Sequence, residues 1–402
     1  MLKVNNELKQ DYDAVFDFVL SKANVKQSTE EVSLCELSGR VLAETLYAPI
    51  NLPNLAISAM DGFGFSTQCQ QDLLPVVKTI YAGRLNSSQG VSSRKAVKIM
   101  TGAVIPEGVD CVIPQEQALL QQGDTQPLLI KPVDAIAGQH IKPIGSDVKK
   151  GSCLFQKGYL MRPQDVALLA SVGIANVTVF EKVKVVVMVS GDELVQPGQT
   201  LNPGQVYDAN SSLIGELVKK LPADLVTCEI LPDDASQIER CLSDWSKKVD
   251  ILITIGGASV GQKDHVKTVL NALKKHWSWK LNMKPAKPFS MALLNDGLIV
   301  ALPGNPMAAF MSFQLFVKAV IQKSAGLLVW QNLPQHLPLL SAYEGVSDKV
   351  QWLQVKQTAA GLTPILNHSS SQLTKLVAAS GFIRINPKQA SSKGDFVAFW
   401  SY

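Results

Sequence analysis

The spacing of hydrophobic positions changes several times along the chain. Between residues 8 and 23, Leu8, Tyr12, Val15, Phe16, Val19 and Leu20 recur at helical intervals and predict an amphipathic helix. From about 50 to 140 the pattern shortens to β-type runs (VVKTI, AVKIM, CVIP, PLLIKP) broken by Gly, Ser, Pro and Gln, which predicts a β-rich insertion. Helical spacing returns over 163–172, with Pro163 in the first turn and Gly173 just past the end. From 183 to about 325 the rhythm is regular. Strand KVKVVVMV leads through GDEL to a helix from about Ser211 to Leu221, and strand DLVTCEIL leads through a PDD turn to helix 235–248. Strand DILITI precedes GGASVG and helix 264–275, and strands near 289–294 and 297–302 feed a last helix opening at Asn305-Pro306. Strands alternating with helices of ten to fifteen residues predict a doubly wound, mostly parallel sheet. After about 328 the helices stop, and VQWLQVKQ, FIRINP and DFVAFW predict a small all-β domain.

The expected fold is therefore multidomain α/β. Its boundaries fall at 1–50 plus 141–178 for a helical region, 51–140 for the insertion, 179–327 for the α/β ligand-binding domain and 328–402 for the C-terminal β domain.

Composition narrows the function. With 46% hydrophobic and 18% charged residues over 402 positions, the chain is an ordinary soluble globular protein with ample core. A net charge of +4, carried by scattered basic residues, argues against nucleic acid. The six cysteines are widely spaced with no CxxC pair, and the five histidines form no HExxH, which argues against zinc and fits a reducing, cytoplasmic setting. No apolar leader and no run of eighteen apolar residues is present, so export and membrane insertion are not expected.

The candidate chemistry lies where strands end in small residues, the places that bind ligands in α/β sheets. In GGASVGQKD, Gly256, Gly257 and Gly261 permit a tight turn whose bare amides suit an anion, with Ser259 beside them. Asp264 stands at a helix N-cap, which alone explains it. In LPGNP, Pro303, Gly304, Asn305 and Pro306 offer a second helix start. KPAKP holds Lys284 and Lys287 on a stiff segment; isolated lysines are usually just solvated, but two beside a glycine-rich strand end suit phosphate. Asp61, Asp147, Asp192, Glu193, Asp233, Asp234 and Asp264 all sit at Gly- or Pro-marked turns, where Asp has structural reasons to be. If several converged beside a phosphate, Mg²⁺ would relieve their repulsion. Thr101 is either an oxyanion donor or an ordinary turn threonine.

These motifs, in the order SAMDGFG, MTGAVIPEGVDCVIPQE, GSDVKKG, SGDEL, QVYDANSSLI, GGASVGQKD, KPAKP and LPGNP, resemble the molybdopterin molybdenumtransferase family, which includes the gephyrin E domain. The resemblance implies a helical dimerisation segment, a β insertion, a cofactor-binding α/β domain and a C-terminal β domain. It implies adenylylated molybdopterin and molybdate as substrates, Mg²⁺, release of AMP, and a homodimer whose sites are shared between subunits. Gly256, Gly257, Ser259, Gly261 and Pro303 to Pro306 would then form the pterin–nucleotide wall, with Asp264 beside them. Glu193, Asp233, Asp234 and Asp264 would make metal or adenylate contacts, and Lys284 and Lys287 phosphate or molybdate contacts. Asp61, Thr101 and Asp147 would act on the partner subunit's ligand.

Ala286 stands where the family typically has glycine, Phe63 where tyrosine is usual and Ala258 where a β-branched residue is common. None of these removes a charge. Two other functions share the fold: molybdopterin adenylylation, usually by a smaller stand-alone protein, and non-catalytic binding of cofactor or peptide as a scaffold.

Overall fold

The computed structural model describes residues 11–83, 90–231, 234–256, 265–328, 333–344, 348–366 and 372–402. The first helix, α1 (Tyr12–Lys22), buries Val15, Val19 and Leu20. The β-rich insertion supplies β1 (Gly62–Phe65), β2 (Leu73–Ile80), β3 (Ala96–Ile99), β4 (Cys111–Pro114), β5 (Leu119–Gln122) and β6 (Pro127–Ile130), joined in the order β4-β1-β3-β2-β6-β5. Around it, Thr29–Ser33 pairs with Asn176–Phe180, Leu46–Tyr47 with Cys153–Phe155, and Ile57–Ser58 with Ile141–Lys142. Helix α2 (Pro163–Ser171) packs beside these pairs. The described part of 1–50 and 141–178 is thus built from short antiparallel pairs and two α-helices, α1 and α2.

The α/β domain follows the predicted alternation. Its elements are β7 (Val183–Ser190), α3 (Ala209–Lys219), β8 (Ala223–Leu231), α4 (Ala235–Trp245), β9 (Ile251–Ile255), α5 (His265–Ala272), β10 (His276–Lys280), β11 (Pro288–Leu294), β12 (Gly297–Leu302), α6 (Pro306–Ser312), a π-helical turn (Phe313–Val317) and α7 (Lys318–Ser324). The sheet order is β8-β7-β9-β12-β11-β10; the first three pairings are parallel and the last two antiparallel.

Side-chain alternation explains the layering. Val185, Val187, Val189, Ile251, Ile253 and Ile255 enter one core with Ile214 and Val218 of α3, and with residues of α6 and α7. Val186, Met188 and Leu252 enter a second core with Ile238 and Leu242 of α4 and Val266 and Leu270 of α5. Both faces are covered, so the central strands β7, β9 and β12 are largely apolar. Each fully buried aliphatic side chain contributes roughly 1.5–3 kcal/mol.

Helix α1 joins the first of these cores, although it precedes that domain by some 160 residues. Tyr12 Oη donates to Leu315 O (3.2 Å), and Lys323 Nζ donates to Leu20 O (2.7 Å). The C-terminal domain comprises β13 (Gln335–Pro338), β14 (Val350–Thr358), β15 (Gly361–Pro364), α8 (Leu373–Ala378), β16 (Gly381–Ile385) and β17 (Phe396–Ser401). Its helix α8 corrects the all-β expectation; at six residues it is too short for periodicity to reveal. Among the described residues, no helix is long and apolar enough to cross a membrane.

Candidate active site

Three parallel strands end together. Val189 of β7 lies level with Ile255 of β9, and Ile255 with Leu302 of β12. The segments Gly191–Glu193, Gly256 and Pro303–Asn305 therefore emerge at one sheet edge. Antiparallel β11 sets Ser290 opposite Ala301, so Lys287, just before its first residue, reaches the same edge. On the other flank Leu231 lies opposite Ser190, which directs the chain towards Asp234.

Backbone geometry shapes this edge. Gly256 has φ +93°, and a Cβ built on it would lie 2.9 Å from the Ser190 carbonyl oxygen, so no side chain fits there. Its N–H donates to Leu302 O at 3.1 Å. Asn305 caps α6, its Oδ1 accepting from Met307 N (3.1 Å) and Ala308 N (3.3 Å), and Pro306 takes the first helical position as predicted. Gly257, Ser259, Gly261, Asp264 and Asp233 lie outside the described residues.

The acidic groups divide by environment. Glu193 is exposed; its backbone carbonyl accepts from Val206 N (2.8 Å), and its carboxylate lies close over Gly191. Asp234 caps α4. Its Oδ1 accepts from Ser236 Oγ (2.6 Å) and Gln237 N (2.8 Å), and these bonds hold its carboxyl below the usual range. Both bonds fall on one oxygen. Among the described residues, no three carboxylate, histidine or cysteine groups gather closely enough to cage a metal. Glu193 and Asp234 nevertheless supply hard oxygen donors of the kind Mg²⁺ takes.

The lysine loop 281–287 is closed by Leu281 N donating to Lys287 O (2.8 Å), and its Lys284–Pro285 bond is cis. Ala286 adopts φ +67° with its side chain buried, the left-handed conformation that favours glycine. Lys284 lies opposite Gln351 of β14, so the C-terminal domain borders the loop. Repulsion from Lys349, then Lys280, pulls the Lys287 ammonium below the ordinary lysine range. Such a cluster of ammonium groups favours an oxyanion.

Asp61 and Thr101 come together in the insertion. Thr101 donates to Asp61 Oδ1 through both its backbone N (2.7 Å) and its Oγ1 (2.8 Å), which holds the carboxyl below its usual range. Asp147 is exposed on the loop whose backbone N donates to Leu52 O (3.0 Å). Among the described residues, no hydrogen bond or ion pair joins Asp61, Thr101 or Asp147 to the strand-end site.

Two positioning residues escaped the sequence reading. Asp208 caps α3 through Ser211 N (3.0 Å), which starts that helix at Ala209 rather than Ser211. Asn210 Nδ2 donates to Gly304 O (2.7 Å) and ties the 303–305 turn to α3. Asp208 stands three residues before Ser211, a readable N-cap signal; the Asn210 contact spans 94 positions and left none. Beside Glu193, a polar cavity of about 490 Å³ is lined by Gln196, Gln199, Asn202 and Gln205.

Comparison with known proteins adds the following. A family model described as the MoeA N-terminal region (domain I and II) matches residues 10–173, and one described as a probable molybdopterin binding domain matches 186–323. The chain is 39% identical over 310 residues to the molybdopterin molybdenumtransferase of Haemophilus influenzae, covering 76% of this chain and 75% of that one. To that of Synechococcus elongatus it is 32% identical over 323 residues, covering 77% and 79%. The crystal structure of the molybdopterin biosynthesis moeA protein from Pyrococcus horikoshii superposes with a TM-score of 0.83 at 26% identity, over 98% of this chain and 99% of that one.

Proposed function

The chain belongs to the molybdopterin molybdenumtransferase family, and on that premise we propose that it inserts molybdate into adenylylated molybdopterin with Mg²⁺-dependent release of AMP. The observation that carries this reading is the meeting, at one sheet edge, of Glu193, Gly256, the 303–306 turn and Lys287. A bare glycine backbone and a capped helix start suit the phosphates of the substrate. Lys284 and Lys287 neutralise the oxoanion or the phosphate, and the mutual repulsion around Lys287 favours a dianion over a neutral group. Gly304 and Asn305 orient the nucleotide side, with the turn held by Asn210.

Mg²⁺ would be held by Glu193 and Asp234, with Asp233 and Asp264 as the further carboxylates. Bound there, it supplies polarisation of a phosphate oxygen. We assign Asp61, Thr101 and Asp147 to the site of a second copy in a homodimer. Among the described residues, none of the three bonds to the strand-end site of its own chain, which supports this.

AMP release from adenylylated molybdopterin tests the assignment. Chelation of Mg²⁺ is expected to stop it, and Lys287→Ala to lower kcat/KM about tenfold or more, the loss expected for one charge-assisted contact. Unchanged kinetics in Lys287→Ala would remove the lysine loop from the site.

A further inference from the structure

Away from the strand-end site, two cavities meet at one lysine. The smaller, about 310 Å³, lies between α1, α7 and the C-terminal sheet. The larger, about 580 Å³, lies between α3, α6 and α8. Gln314 and Lys318 line both. The walls of the larger cavity are apolar, with Leu213 and Leu217 from α3, Phe313 from the π-helical turn, Leu376 and Val377 from α8, and Tyr402. Val377 is 85% exposed at its mouth. An apolar chamber of this size on a protein surface is the usual form of a small-molecule site.

Lys318 is the feature that packing does not explain. It opens α7 directly after the π-helical turn, a rare distortion that concentrates at functional sites. Its ammonium is partly buried, and that burial holds it below the ordinary lysine range. Among the described residues it has no hydrogen bond and no ion pair. A desolvated charge without a partner is costly to keep unless something pairs with it. Three acids share a cavity with it: Glu216 is bonded to Lys219 at 2.7 Å and Asp13 to Arg384 at 3.1 Å, and among the described residues neither of these nor Asp17 makes an ion pair with Lys318. Lys220 stands with Lys318 in the lining and adds positive charge.

We propose that the larger cavity binds an amphipathic carboxylate, its apolar chain lying between α3 and α8 and its carboxylate paired with the Lys318 ammonium. This site is separate from the transfer reaction and uses none of its residues. The charge complementarity selects an anion with a hydrophobic tail over an uncharged apolar ligand or the apolar face of a second copy.

Octanoate and octan-1-ol share a tail and differ in charge, so their binding to the full chain, followed by calorimetry, separates the possibilities. Octanoate is expected to bind at least about tenfold more tightly than octanol, as charge pairing in a partly desolvated site requires. Lys318→Met is expected to abolish that preference and Lys318→Arg to keep it, while both variants retain the AMP-release rate. Equal affinity for the two compounds, absence of binding at millimolar concentration, or an undiminished octanoate preference in Lys318→Met would each overturn the proposal. Should Lys318→Met not fold, the octanoate-to-octanol ratio in the unmodified chain decides alone.

Discussion

Ala286 sits at φ +67° with its methyl group buried. The left-handed conformation costs an L-residue about 1–2 kcal/mol, whereas burying a methyl-sized group returns about 0.8 kcal/mol. Glycine would also lose more chain entropy on folding, by roughly 0.4–1 kcal/mol. The terms nearly cancel. Ala286→Gly is therefore expected to change the unfolding free energy by less than about 1 kcal/mol in chemical denaturation; a larger gain would mean that alanine distorts the lysine loop. At Asp61 the balance is electrostatic. Its folded pKa is lowered, so the stability it brings is present above the unfolded value near 3.9 and is lost as pH falls through the folded value. Asp61 thus stays ionised throughout the neutral range. Thr101→Val removes one of two donors to Oδ1, and the Asp61 carboxyl is expected to titrate at higher pH by carbon NMR. An unmoved midpoint would show that the backbone N–H alone suffices.

At the scale of elements, caps and glycines carry the site. Asn305→Ala leaves the Met307 and Ala308 amides without their acceptor and is expected to cost about 1 kcal/mol, while Asn305→Asp keeps most of it. Gly256→Ala combines a positive φ with a 2.9 Å approach to Ser190 O, and a loss above about 2 kcal/mol is expected in denaturant unfolding. These elements were legible before the structure. The β7 and β9 runs read as doubly buried strands because both alternating faces are apolar, and Asn305-Pro306 announced a helix start. Partnership was not legible. Periodicity assigned α1 an apolar face but could not say that α7 and the π-helical turn cover it. Helix α8 was too short to show a period. Within the site, Glu193, Gly256 and Lys287 each ended or preceded a strand in the sequence. Their convergence depends on strand order and register, which no local pattern contains.

At the scale of the whole molecule, the C-terminal domain shares a core with the α/β domain. Trp352 and Phe382 bury in the same cluster as α1 and α7, and Tyr402 meets Phe310 edge-on at 4.7 Å. The Asp61–Thr101 pair belongs to the insertion, whose sheet is separate from that of the strand ends. If two copies share sites, Asp61→Asn and Lys287→Ala disable different halves of each one. Mixed and re-equilibrated, these two impaired variants are expected to recover to about a quarter of full activity, because half the dimers are mixed and each has one intact site. No recovery would place both residues in a single chain's site.

The most direct test of the central claim is the molybdate dependence of AMP release. Purified protein, adenylylated molybdopterin and Mg²⁺ are combined with and without molybdate, and both AMP and the ability to activate a molybdenum-free apoenzyme are followed. The expected result is AMP release that requires molybdate and yields active cofactor. Release at the same rate without molybdate, or tight binding with no release, would contradict molybdenum insertion as the function of this chain.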